Sequence, residues 1–167
     1  IIMPMLGFAI LGNYALAMQF YAVLMIFSSV VFRYLLPQDS TGIPNTRLKT
    51  NTIFISIGIA ALGITFSPLI IPQFFPQYED AVIAVQILSI SVVPATVGYI
   101  YVSEFLGLEK SRFVLIGRII ALSTLVLGMA VLPIYFGIVG AASAFVLSSC
   151  TQTTFFILAK KKLEVKG

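Results

Sequence analysis

The stretch FVLIGRIIALSTLVLGMAVLPIYFGIVGAASAFVLSSCTQTTFFILA, residues 113–159, decides the fold, because Arg118 is its only charged residue. It reads as two apolar runs, 113–133 and 138–159, joined by the short link PIYFG. Each run is long enough to cross about 30 Å of hydrocarbon as a helix. Strands are excluded because a membrane strand needs only about 10 residues of alternating polarity, and these runs are longer and do not alternate.

Working outward with the same window of about 20 residues, three further spans appear at 14–36, 51–71 and 82–106. The expectation is an all-α integral membrane protein with about five transmembrane helices over 14–159. Residues 1–13 are apolar but too short to span; with Gly7, Gly12 and Asn13 they read as an outer loop or the end of a preceding helix. Residues 160–167 form a basic tail.

Composition agrees. Of the 167 residues, 59% are hydrophobic and 10% charged, with a mean hydropathy of +1.07, whereas soluble domains carry about 25% charged residues. So few polar side chains could not cover a water-facing surface. The net charge of +4 does not point to nucleic acid, since the cations are confined to short stretches between apolar runs. The lone Cys150 cannot form an intramolecular disulfide, and the absence of His removes the commonest metal ligand and general base. No phosphate-cradling glycine loop, carboxylate pair or activated nucleophile is present, so neither an enzyme nor a metal or cofactor site is expected. The opening IIMPMLGF has no initiator Met, charged n-region or cleavage site, and reads as the continuation of a longer chain.

The connections give direction. Arg47 and Lys49, Lys110 and Arg112, and Lys160, Lys161, Lys162 and Lys166 make eight of the ten cations, while QFFPQYED (73–80) and PIYFG (133–137) contain none. The positive-inside rule then places the first set and the C-terminus in the cytoplasm. Five spans with the tail inside put the start of the first span outside, so a cytoplasmic N-terminus requires at least one preceding helix.

Polar residues within the spans are the candidate site. Gln19, Ala22, Ile26, Ser29 and Arg33 recur at three- and four-residue steps on one helical face, which suits either a cavity wall or a snorkelling Arg33. Arg118 lies deeper, between apolar neighbours, and calls for a cavity or a partner; Glu104 is the nearest acidic candidate in the topology. Gly140, Ala144 and Ser148 form a small-residue ridge suited to close helix packing, with Gln152 one turn further on, able to hydrogen-bond across helices or reach a cavity. Pro94, Pro68, Pro72 and Pro76 predict kinked or broken helix ends, and Phe74, Phe75 and Tyr78 an interfacial aromatic belt.

The order of short motifs resembles the C-terminal half of polysaccharide biosynthesis flippases of the multidrug/oligosaccharidyl-lipid/polysaccharide exporter superfamily. These motifs are Gly12, Tyr14 and Ala17; Leu35, Pro37 and Ser40; Tyr78 and Ala81; Leu106, Gly107 and Lys110; and Gly137, Ile138, Gly140, Ala141 and Ala142. FPQY departs from the glycine common in that region of the family. The resemblance implies most of one six-helix lobe of a two-lobe exporter in the cell membrane, partnered by a missing N-terminal lobe and by membrane lipids. It would flip a polyprenyl-linked oligosaccharide, with Arg33 and Arg118 contacting the pyrophosphate. The alternatives are a cation-coupled multidrug exporter of the same superfamily, for which Glu104 is the available acid, and a non-transporting membrane scaffold or assembly partner.

Overall fold

The computed structural model describes residues 2–40 and 46–164, with side chains described over 10–39 and 46–163. Four helices follow one another: α1 (Ile2–Ser40), α2 (Thr46–Phe74), α3 (Ala81–Gly107) and α4 (Ser111–Glu164). A single 3-10 turn, Pro76–Tyr78, joins α2 to α3. No strand occurs among the described residues. All four helices are long and apolar enough to cross a membrane, which marks the chain as an all-α membrane protein.

The helix α3 is the centre of the bundle and packs against α1, α2 and α4. Hydrocarbon is no less apolar than leucine, so burial alone does not drive helices together in a membrane; close backbone approach and interhelical hydrogen bonds do. The residues of α3 match that need: Ala81, Ala84, Ser89, Ser91, Thr96, Gly98 and Ser103 are all buried. Ser28 and Thr96 join α1 to α3 through hydroxyls 2.6 Å apart. Thr153 of α4 donates to the Pro94 carbonyl at 2.6 Å. Large side chains point outward instead, among them Phe54, Leu69, Leu115, Leu127 and Leu158, as a lipid-facing surface requires.

A straight helix of the 54 residues of α4 would be roughly 80 Å long, far beyond a bilayer core. Gly137 interrupts it with φ 54° and ψ −130°, a backbone region essentially reserved for glycine. The second arm, 138–164, then returns along the first, 111–136. A Cβ on Gly128 would lie 2.9 Å from the Ala144 Cβ, and one on Gly140 would strike the backbone of Leu132 and Pro133. Ser148 donates to the Ala121 carbonyl across the same seam at 2.7 Å. The ridge of Gly140, Ala144 and Ser148 is therefore the packing face of this helical hairpin.

Several boundaries differ from the sequence expectation. Helix α1 runs without a break through Gly12 and Asn13, where the sequence leaves open an outer loop or the end of a preceding helix, because a helix can extend beyond the hydrophobic thickness that limits a hydropathy window. Arg47 and Lys49 belong to the first turn of α2 rather than to a link; residues 41–45 lie outside the described residues. Pro68 and Pro72 do not break α2, which continues to Phe74, and Pro94 lies inside a continuous α3. The expected tail begins within the last turn of α4, where Lys161 and Lys162 are helical.

Candidate functional site

Arg118, itself exposed, lines an open cavity of about 500 Å³ between α1, α3 and both arms of α4. Met25, Ala95, Val102, Leu122, Leu125 and Phe145 make it mostly apolar, while Tyr21, Tyr99, Ser148, Ser149 and Gln152 supply polar groups. Helical phase explains the set: Ala95, Gly98, Tyr99 and Val102 share one face of α3, as Tyr21 and Met25 share the inward face of α1. Tyr21 is fixed by a hydrogen bond with Ser91 and by an edge-on contact with Phe145 at 5.0 Å between ring centres. The serine hydroxyls are occupied locally, Ser148 on Ala121 and Ser149 on the Phe145 carbonyl at 3.1 Å.

Among the described residues no carboxylate comes within ion-pairing distance of Arg118. A guanidinium so placed within an apolar span costs about 2.5–3.5 kcal/mol on insertion scales unless water or an anion compensates it. The cavity provides room for either. Gln152, one helical turn beyond Ser148, reaches the same space and adds an amide that both donates and accepts.

Glu104 is not the partner of Arg118. It lies on the opposite face of α3, with Val97, Ile100 and Tyr101, so its carboxylate points away from the cavity. There it binds two lysines: Lys49 Nζ is 2.8 Å from Oε1 and Lys160 Nζ is 2.9 Å from Oε2. Lys49 also lies 2.8 Å from Asp39 Oδ1, and Ser103 donates to Asp39 Oδ2 at 2.6 Å. The Lys160 ammonium sits 5.5 Å above the Tyr101 ring. This cluster joins the end of α1, the start of α2, the end of α3 and the end of α4. The Asp39 side chain is only 7% exposed, which makes its pairing matter more than that of a surface carboxylate.

Arg33 and Gln19 do not join the cavity. Both are exposed on a face of α1 roughly 120–160° round the helix from the inward residues Tyr14, Ala17, Tyr21, Met25 and Ser28. The structure thus brings Arg118 and Gln152 together and separates them from Arg33, Gln19 and Glu104. Sequence reasoning missed Asp39, Lys49, Lys160 and Ser103 as a cluster. The available signal was their position at helix ends that the cation distribution assigns to one side of the membrane.

No group of three or more metal-ligating side chains occurs among the described residues. Comparison with known proteins returns no matching family model, no matching curated protein and no matching solved structure.

Proposed function

We propose that this chain forms part of a membrane transporter that moves an amphipathic anionic substrate across the bilayer, and that the substrate is a polyprenyl-linked oligosaccharide. The observation that carries this reading is Arg118: a guanidinium without a carboxylate partner among the described residues, in a largely apolar cavity beside Gln152. A pyrophosphate linker would supply the missing charge through charge-assisted hydrogen bonds, and a saccharide would use the neighbouring Gln152 amide. The motif order that resembles polysaccharide flippases supports the choice of substrate.

In this reading each arm of α4 crosses the membrane, giving five crossings in all, with the C-terminus in the cytoplasm of a cell-membrane protein. The lysine and arginine distribution supports that direction. The five crossings would supply most of one six-helix lobe, and alternating access requires a second lobe to rock against it. The outward stripe of Gln19, Ser29 and Arg33 on α1 would then face the cleft between lobes. A cation-coupled multidrug exporter fits less well, since Glu104 is held by two lysines on the face of α3 away from the cavity.

The test is a flipping assay in proteoliposomes, with the full-length protein and a fluorescent polyprenyl-pyrophosphoryl oligosaccharide. Replacing Arg118 by Ala should reduce transport at least about tenfold, the effect of one lost charge-assisted contact. Undiminished flipping by R118A, or none by the wild type, overturns the proposal.

A further inference from the structure

A second recess, of about 370 Å³, lies between α2 and α3 and is closed at one end by Lys160 of α4. Its α2 wall is Thr46, Lys49, Thr50 and Ile53; its α3 wall is Val97, Ile100, Tyr101 and Glu104. Both sets follow the three- and four-residue steps of a single helical face. The helices are antiparallel, with Lys49 beside Glu104. The two walls therefore change polarity in the same direction: Thr46, Lys49, Thr50, Tyr101, Glu104 and Lys160 surround one end, while Ile53, Val97 and Ile100 line the other. The polar end coincides with the charged ends of the four helices, where the headgroups of a bilayer would lie, and the apolar end runs toward the hydrocarbon.

The recess is graded from two ammonium groups around the Glu104 carboxylate, with flanking hydroxyls, to aliphatic side chains. Its polar lining has a net positive charge and so suits a phospholipid, phosphate at one end and acyl chain at the other. Lys49 and Lys160 are held on opposite oxygens of Glu104, so their positions are fixed before any ligand arrives. We propose that this recess is a glycerophospholipid site, in which Lys49, Lys160 and the hydroxyls of Thr46 and Thr50 take the phosphate and the Ile53–Val97–Ile100 surface takes an acyl chain. The site is separate from the Arg118 cavity and does not depend on the transport reading.

Native mass spectrometry of the full chain, offered equal amounts of dioleoyl-phosphatidylglycerol and the phosphate-free dioleoylglycerol, tests it. The wild type should retain the phospholipid over the diacylglycerol by about five-fold or more, as one lysine–headgroup attraction predicts. K160Q and T50A should each reduce phospholipid retention, Ile53→Trp should reduce it by filling the apolar end, and K162Q, on the same helix end but outside the recess, should leave it unchanged. Thr50 is exposed, so T50A remains informative if Ile53→Trp fails to fold. Equal retention of both lipids, unchanged retention in K160Q and T50A, or an equally large loss in K162Q would overturn the site.

Discussion

The Lys160 ammonium of α4 lies 2.9 Å from the Glu104 carboxylate of α3. Since α4 starts only four residues after α3 ends, Lys160 can return to that end only because the helix reverses at Gly137. One ion pair thus reports on the fold of the last third of the chain.

Removing the charge of Glu104 should be costly. Glu104→Gln leaves Lys49 with Asp39 and removes the carboxylate that lies 2.9 Å from the Lys160 ammonium in a part-buried site. A loss of about 1–3 kcal/mol is expected, seen as a lower unfolding temperature in detergent. K162Q, on an exposed side chain, should stay within about 0.5 kcal/mol of the wild type. Equal stability of the two variants would show that the cluster contributes nothing.

The hairpin of α4 should be sensitive at two glycines. Gly137→Ala puts a side chain at φ 54° and ψ −130°, at a cost of about 1–3 kcal/mol. Gly140→Val presses side-chain atoms into the Leu132 and Pro133 backbone and should cost a similar amount, about 1–3 kcal/mol, by separating the arms. Gly58, with no heavy atom within 4 Å of the position of a Cβ, should accept Ala with no loss. Thermal unfolding of the three variants in one detergent checks the ranking.

The register of α1 on α3 can be trapped covalently. The Ser28 and Thr96 hydroxyl oxygens are 2.6 Å apart, so sulfurs in their place would need to approach by only about half an ångström to reach a bond of about 2.05 Å. In a Cys150→Ala background, S28C/T96C should oxidise to an intramolecular disulfide, visible as a thiol count of zero in the denatured protein. Two titratable thiols after oxidation would contradict the α1–α3 packing.

Helix α3 was almost fully legible in the sequence: the expected span 82–106 and the observed Ala81–Gly107 differ by one residue at each end, because QYED and GLEK interrupt the hydropathy where the helix turns. For α1 and α2 the same window stopped short. It senses the thickness of a bilayer, whereas backbone hydrogen bonding carries α1 back through Asn13 and Gly12 and starts α2 at Thr46. Arg118 and Gln152 stood out as polar groups in apolar runs. The partners of Glu104 did not, because a single helix states which residues share a face and not which neighbour covers that face. Nor did helical phase alone place Arg33 and Gln19 outside the bundle, since a polar stripe suits an inner cavity and an outer cleft equally.

The central claim is that Arg118, and not Arg33, supplies the anion contact within the chain's own cavity. Titration of the purified protein with a short-chain prenyl pyrophosphate, followed by isothermal calorimetry, tests it most directly. R118A should weaken binding about tenfold or more, the value of one charge-assisted contact, and R33A less than about two-fold. Unchanged affinity in R118A, or a loss confined to R33A, would contradict the account.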